Sequence, residues 1–331
     1  MKLRQWAIAL LLTLATLAGI LSLPPRTPAQ TSASLTLADA GLSLAKLGDG
    51  VYGLIASTDF PTSDPNAAIC NGGIVIGSDG VLVVDPFQTE ALANLMFATV
   101  ASLTDQPIRY VVNSHYHFDH SGGNAAAAAM DYPILGRGPI REFMLTRNLE
   151  MDPNATAPNL VVNGPTEIWL GDRQVQFTEF DGHSGGTDLI VYVPDVDVLM
   201  TGDLLFYQRI PYLGDSNLRV LQSTLAQLAT EYTTARILPG HGPVTDRSGL
   251  DTFRGYLDDL EAFALSWETQ ELSQAAAIAQ TPLPEQYANY LFQALFPSNL
   301  EVAYQQLTLG YNDAAAIKQY FQAQAPALKA L

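Results

Sequence analysis

Three histidines and one aspartate lie within the six residues His115–His120, which read HYHFDH. The chain of 331 residues has only five histidines, so this segment holds most of them. Imidazole nitrogens and carboxylate oxygens suit zinc, and they also accept iron or manganese. A single histidine on an apolar face is usually a packed core residue, but three so close together, with an acid among them, indicate a metal site. The spacing predicts that His115 and His117 face one ion, while Asp119 and His120 turn toward a second.

The other two histidines occur in similar local surroundings. His183 stands in DGHSGGTD and His241 in LPGHGP, each beside glycine at the end of a predicted strand. Glycine next to a ligand allows backbone and metal to approach closely. Asp203, in LMTGDLLF, ends a strand in the same way, and its carboxylate could bridge two cations. We therefore expect these three residues to complete the coordination shells begun by HYHFDH.

The elements that must position these residues follow from the apolar pattern. Short apolar runs alternate with Gly, Asp and Pro turns and with segments of helical spacing. The predicted strands are 42–47, 51–57, 72–77, 81–85, 108–114 and 236–242, with strand pairs over 169–183 and 189–203; the predicted helices are 89–103, 122–130 and 218–232, with a mostly helical region from 251 on. This order favours two sheets with helices outside them. The chemical residues all follow strands, so they should gather at one edge of the layers.

The ordered set HYHFDH, GHSGGTD, TGDLLF and LPGHGP resembles the metallo-β-lactamase superfamily of binuclear metal hydrolases. The upstream segment GGIVIGSDGVLVVDP is similar to the paired early strands of that superfamily, and the resemblance spans about residues 48 to 245. It implies an α/β (α+β) fold, the four-layer αββα sandwich, with metals at one edge between the sheets. On this basis residues 30–250 form the metallo-β-lactamase domain, and 251–331 form a C-terminal helical extension packed on it.

The resemblance also implies a role for each matching residue. His115, His117 and His183 would hold the first of two zinc ions, Asp119, His120 and His241 the second, and Asp203 would bridge them, with iron or manganese as alternative metals. Asp85 would orient the histidine segment by hydrogen bonding, although a strand-capping turn residue is an equal alternative. Aspartate at 203, where the best-known β-lactamases of this fold have cysteine, is similar to glyoxalase II and lactonases.

The implied activity is hydrolysis of a carbonyl compound of the ester, thioester, lactone or β-lactam class. Two cations lower the pKa of a shared water from 15.7 to about 7, and the bridging hydroxide attacks the carbonyl. Asp119 would also carry a proton toward the leaving group. Phe206, Tyr207 and Tyr212 follow Asp203 and are candidates for substrate binding, with packing against the next helix as the alternative.

Three other functions compete with this hypothesis. A mononuclear-iron sulfur dioxygenase shares the fold and a similar histidine pattern, and it remains the main alternative. A nuclease is disfavoured by the net charge of −17, which repels phosphate backbones. A non-catalytic binding protein is disfavoured because all seven ligand positions are present. We expect a small-molecule substrate and no nucleic-acid partner, and a homo-oligomer is compatible with the C-terminal helices.

The N-terminus has the pattern of an export signal. Lys2 and Arg4 precede an apolar run from Trp6 to Leu23, and Thr27-Pro28-Ala29 offers a cleavage site. We predict a signal peptide over residues 1–29 and a periplasmic or secreted protein, with no membrane contact after its removal. A retained anchor is the alternative, since eighteen apolar residues just span a bilayer. Cys70 is the only cysteine, so no intramolecular disulfide forms, and we expect it to pack as a small buried hydrophobe.

Overall fold

The computed structural model describes residues 35–309, and the predicted signal peptide lies outside this part. The strands are β1 Leu42–Gly48, β2 Val51–Ala56, β3 Gly72–Ile76, β4 Val81–Val84, β5 Ile108–Val112, β6 Ile134–Arg137, β7 Leu160–Val162, β8 Thr166–Leu170, β9 Arg173–Glu179, β10 Leu189–Val193, β11 Val198–Phe206 and β12 Arg236–His241. The helices are α1 Glu90–Leu103, α2 Phe118–Ser121, α3 Asn124–Ala129, α4 Ile140–Phe143, α5 Leu149–Met151, α6 Leu218–Glu231, α7 Arg247–Thr269, α8 Gln274–Gln280 and α9 Phe296–Ala303. Short 3-10 turns cover Glu285–Tyr287 and Gln293–Leu295, and π-helical turns cover Met144–Asn148 and Tyr304–Thr308. Among residues 35–309, no helix has both the length and the apolar character needed to cross a bilayer.

The strands form two mixed sheets. The first has seven strands in the order β1-β2-β3-β4-β5-β6-β7, antiparallel from β1 to β4 and parallel from β4 to β7. The second has five strands in the order β12-β11-β10-β9-β8, with β11 and β12 parallel and the other pairs antiparallel. On the central strand β10 of this sheet, Val191 pairs with Met200 of β11 on one side and with Phe177 of β9 on the other.

The apolar side chains form layers that explain the sandwich. Between the sheets, a buried cluster joins Val75, Leu82 and Val112 of the first sheet to Phe177 and Met200 of the second. A second cluster packs α1 against the outer face of the first sheet, and a third packs α6 and α7 against the outer face of the second. Because β11 is covered on both faces, all nine of its residues are buried. The predicted αββα sandwich is thus confirmed.

The helices after β12 belong to the outer layer of the second sheet. Helix α7 buries Leu250, Phe253, Leu257 and Leu260 in the same apolar cluster as β11 and α6. Helix α9 adds Leu300 to this cluster. A helical C-terminal region is therefore present. Helix α7 begins before the predicted domain boundary at 250, and residues 310–331 lie outside the described part.

Most predicted elements agree with the structure to within a few residues. The helix predicted over 122–130 is shorter, α3 Asn124–Ala129, because α2 forms from Phe118 inside the histidine segment itself. Strands β6 and β7 were not predicted. Each is short, and the exposed Leu160 and Val161 give β7 no alternating pattern.

Asn71 joins the two sheets beside the predicted metal site. It precedes β3, and its Oδ1 accepts a hydrogen bond from the backbone N–H of Ala56 at 2.9 Å. Its Nδ2 donates to the carbonyls of Pro239 and Gly242, at 2.9 and 2.8 Å, on either side of His241. All three hydrogen bonds are buried, so the side chain fixes the end of β12 against the first sheet.

We predict that Asn71→Ala lowers the free energy of unfolding by about 3 kcal/mol, because three buried backbone groups lose the side chain that pairs with them. Chemical denaturation of the metal-stripped protein measures this directly. The matched control is Asn154→Ala at an exposed loop position, which should change stability by less than about 0.5 kcal/mol. Equal effects of the two substitutions would contradict the proposed role of Asn71.

Candidate metal centre

The predicted ligands come from four separate places in the chain and meet at one edge of the sandwich. The segment after β5 carries His115, His117, Asp119 and His120, with the last two in α2. His183 follows β9, Asp203 lies within β11, and His241 ends β12. Their side chains fall into overlapping groups whose ligand atoms lie within 4.8 Å of one another. The structure therefore brings all seven predicted metal residues together.

The second group, which contains the residues predicted for the second metal, surrounds Oδ1 of Asp203. This oxygen lies 3.0 Å from Nε2 of His120 and 3.2 Å from Nε2 of His241. The two ring nitrogens are 3.3 Å apart, and Oδ2 of Asp119 lies 3.4 Å from each of them. Four donor atoms thus converge on one point.

These distances fit a divalent cation. Four ligands placed tetrahedrally at about 2.1 Å from an ion are about 3.4 Å from one another, which is close to the observed spacings. Oδ1 of Asp203 is buried without a hydrogen-bond partner among the described residues, as a metal ligand would be. The donor set of two imidazoles and two carboxylates also suits zinc, iron or manganese.

The first group, which contains the residues predicted for the first metal, surrounds the other oxygen of Asp203. Oδ2 lies 3.5 Å from Nε2 of His115, 4.0 Å from Nδ1 of His117 and 3.8 Å from Nε2 of His183. These spacings are wider than those of the second group. Nε2 of His115 is buried without a hydrogen-bond partner in the described part of the chain. Nε2 of His183 also lies 2.8 Å from the carbonyl oxygen of Tyr212, with which it can share a hydrogen bond when protonated.

The buried carboxylates and histidines of the cluster shift one another's pKa values. Burial opposes ionisation of Asp203, but His241, His120 and His115 outweigh it and hold its pKa well below the usual range. Burial likewise disfavours a charged His241, yet Asp203 and Asp119 raise its pKa to about 9. Burial lowers the pKa of His183 to about 4. The carboxylates thus attract positive charge into the site, which a divalent cation supplies when it displaces the ring protons.

Asp85 orients the histidine segment by hydrogen bonding, which is one of the two roles predicted for it. It follows β4 with a φ of 54°, and its carboxylate accepts hydrogen bonds from the backbone N–H and the hydroxyl of Ser114, both at 2.7 Å. Its Oδ2 also lies 2.9 Å from Nδ1 of His120. Asp85 is thus positioned to leave the Nε2 atom of that ring free for a metal.

Asp215 has a similar place beside His117, although no sequence motif indicates it. Its Oδ2 lies 3.1 Å from Nε2 of His117, so the Nδ1 atom of that ring faces Asp203. Its Oδ1 accepts a hydrogen bond from Arg147 at 2.6 Å, and its Oδ2 accepts one from the hydroxyl of Tyr116. Arg147 also contacts the hydroxyl of Tyr116. The network fixes the ring of His117 through a carboxylate that is 98 residues distant in sequence.

A third buried carboxylate supports His183. Oδ2 of Asp188 accepts hydrogen bonds from the backbone N–H groups of His183 and Ser184, at 3.1 and 2.9 Å. Its Oδ1 accepts one from the hydroxyl of Ser184 at 2.5 Å. The last residue of GHSGGTD thus holds the turn that carries the ligand.

The three aromatic residues predicted to bind substrate lie at different positions relative to the metal ligands. Phe206 is buried and stacks on His241, with ring centroids 4.6 Å apart and an interplanar angle of 9°. Tyr207 is half-buried, and its backbone N–H donates to the carbonyl of His241 at 3.0 Å. Tyr212 is half-buried, with its ring edge to face against His117 at 5.4 Å.

Cys70 is fully buried beside the cluster. Its thiol lies 2.9 Å from the backbone carbonyl of Asp119 and within reach of His120. Burial raises its pKa well above the usual range, so the thiol is protonated at neutral pH.

The sequence also matches the family model of the metallo-beta-lactamase superfamily over residues 65–241. The chain belongs to the metallo-beta-lactamase superfamily. The matched range contains every residue of the histidine and aspartate cluster described above. The predicted family is confirmed, and with it the coarser expectation of a metal-dependent hydrolase.

Individual relatives are distant. The chain is 26% identical over 187 residues to the probable metallo-hydrolase YqgX of Bacillus subtilis, covering 53% of this chain and 86% of the relative. It is 26% identical over 227 residues to the acyl-coenzyme A thioesterase MBLAC2 of Bos taurus, covering 59% and 79%. The solved structure of a metallo-beta-lactamase from Pontibacter korlensis matches with a TM-score of 0.56 at 21% identity, covering 66% of this chain and 99% of that one. This last likeness supports the superfamily fold.

We predict that Asp215→Asn weakens metal binding roughly 10- to 100-fold, because the ring of His117 loses the carboxylate that fixes its orientation. Competition with a chromophoric chelator measures the affinity. Asp181→Asn is the matched control, since Asp181 pairs with Arg137 on the surface and contacts none of the histidines. Equal metal affinity in the two variants would show that Asp215 does not support His117.

Proposed function

We propose that the protein is an exported hydrolase that binds two zinc ions and cleaves a carbonyl substrate of the ester, thioester, lactone or β-lactam class. The observation that carries the proposal is the orientation of Asp203, whose two oxygens face two different sets of imidazoles. A carboxylate in this position can bridge two cations. Iron or manganese would fit the same donors.

The residues that would hold the ions are those of the two groups. His115, His117 and His183 would bind the first ion with Oδ2 of Asp203, and Asp119, His120 and His241 the second with Oδ1. When bound, such a pair supplies Lewis-acid polarisation of a carbonyl and lowers the pKa of water to about 7.

Asp119 has the position and charge expected of the proton carrier. Burial opposes its ionisation, but His120 and His241 hold its pKa below the usual range, so it is ionised at neutral pH. Its Oδ2 faces these two rings, while no hydrogen bond within residues 35–309 uses Oδ1. That oxygen can orient an attacking water and pass its proton to the leaving group.

Further support comes from the relatives. Similarity to an acyl-coenzyme A thioesterase supports testing thioesters before the other substrates. Asp119, His120 and His241 form a complete second group around Oδ1 of Asp203. Their presence favours a binuclear hydrolase over the mononuclear-iron sulfur dioxygenase. A small molecule is the proposed substrate, because a net charge of −17 disfavours nucleic acid.

Export is proposed on the N-terminal pattern alone. Lys2, Arg4, the apolar run and the Thr27-Pro28-Ala29 site support cleavage after residue 29 and a periplasmic or secreted protein.

We predict that replacing both His115 and His117 with alanine removes metal and hydrolysis together, since the first group loses two of its three imidazoles. Metal content is measured by mass spectrometry, and activity with chromogenic thioester, lactone, ester and β-lactam substrates. Zinc-loaded wild-type protein should hold about two ions per chain. One iron per chain with oxygen consumption would favour the dioxygenase, and full activity of the metal-stripped double variant would refute the proposal.

A further inference from the structure

Tyr212 differs from Tyr116, which also lies beside the metal centre, because its hydroxyl has no hydrogen-bond partner among the described residues. The hydroxyl of Tyr116 is held by Asp215 and Arg147. No hydrogen bond among residues 35–309 uses the hydroxyl of Tyr212, although its ring lies edge to face against His117 at 5.4 Å. A polar group beside a reaction centre without a protein partner can serve a ligand.

Its backbone and surroundings fix the ring close to the ligands. The carbonyl oxygen of Tyr212 lies 2.8 Å from Nε2 of His183, so the residue contacts two ligands of the first group. The charges of Asp215, Arg147 and Asp119 all act on its hydroxyl. Since Asp119 belongs to the second group, the hydroxyl lies within electrostatic reach of that group.

Gly214 is required for this position of the ring. A Cβ at residue 214 would lie 2.2 Å from the hydroxyl oxygen of Tyr212 and 2.4 Å from the carbon that bears it. Any side chain at 214 therefore has to displace the end of the ring. Because that end is not held by a hydrogen bond, the displacement should cost little stability.

From these contacts we infer that Tyr212 is a catalytic residue, whose hydroxyl donates a hydrogen bond to the substrate carbonyl oxygen as that oxygen becomes negatively charged. The inference rests on the proposed function and adds a side-chain donor from the protein to the stabilisation of the anion. No bond to the tyrosine forms or breaks, and its proton stays on the phenol. Removing one such donor typically lowers kcat by 10²- to 10³-fold.

The test uses the zinc-loaded protein and compares Tyr212→Phe and Gly214→Ala with wild type. Both variants should keep their metal content and melting temperature, lower kcat by roughly 10²-fold and leave KM within a few-fold. The double variant should be no slower than Tyr212→Phe, because both changes remove the same hydrogen bond. Tyr192→Phe is the matched control. It removes a hydroxyl bonded to Asp197, and its activity should equal that of wild type.

A binding measurement separates this inference from the proposed function. Phenylphosphonate, an anionic tetrahedral compound, should bind zinc-loaded Tyr212→Phe roughly 10- to 100-fold more weakly than wild type in calorimetry. If wild type hydrolyses no carbonyl substrate, the proposed function fails, and phenylphosphonate binding alone decides the role of Tyr212. Unchanged phenylphosphonate affinity in Tyr212→Phe, or an unchanged kcat in an active enzyme, would overturn the inference.

Discussion

The structure depends on the burial of one carboxylate, Asp203, between two sets of imidazole rings. A buried carboxylate is costly unless opposite charge surrounds it, and only 3% of this residue is exposed. Strands β5, β9 and β12 and helix α2 have to bring their ends to the same edge of the two sheets for the five histidines to reach it. The backbone around it is correspondingly tight, since a Cβ at Gly240 would lie 2.1 Å from its Oδ1. Gly202, with a φ of 52°, likewise leaves no room for a side chain beside Ser114.

The outer partners of the rings form a second layer around this centre. Nδ1 of His115 lies 2.9 Å from the hydroxyl of Ser114, and Nδ1 of His241 lies 2.9 Å from the carbonyl of Ile69. Asp85 and Asp215 do the same for the rings of His120 and His117. In each of these four imidazole rings, one nitrogen contacts the outer partner and the other nitrogen faces Asp203. Such partners orient the ligands before an ion binds, which explains why the cluster has the spacing of a metal site.

The sequence indicated much of this arrangement because most of the ligands lie in short motifs at the ends of regular elements, although the strand predicted to end at Asp203 continues to Phe206. HYHFDH places four donors in six residues, and apolar runs precede His183, Asp203 and His241. The supporting residues were harder to find. Asp215 lies in a polar loop before α6, and Arg147 in a π-helical turn, and neither stands in a motif. Only the folded chain brings them to His117, so no local pattern could have revealed the network. The packing of Phe206 on His241 was similarly undetermined, since an aromatic residue after a strand is compatible with either a pocket or a core.

The central claim is that Asp203 bridges two cations, and anomalous diffraction from zinc-loaded crystals tests it most directly. The account predicts two peaks at the zinc absorption edge, one beside each oxygen of Asp203, with His115, His117 and His183 around one and Asp119, His120 and His241 around the other. A single peak, or peaks that do not contact Asp203, would contradict it.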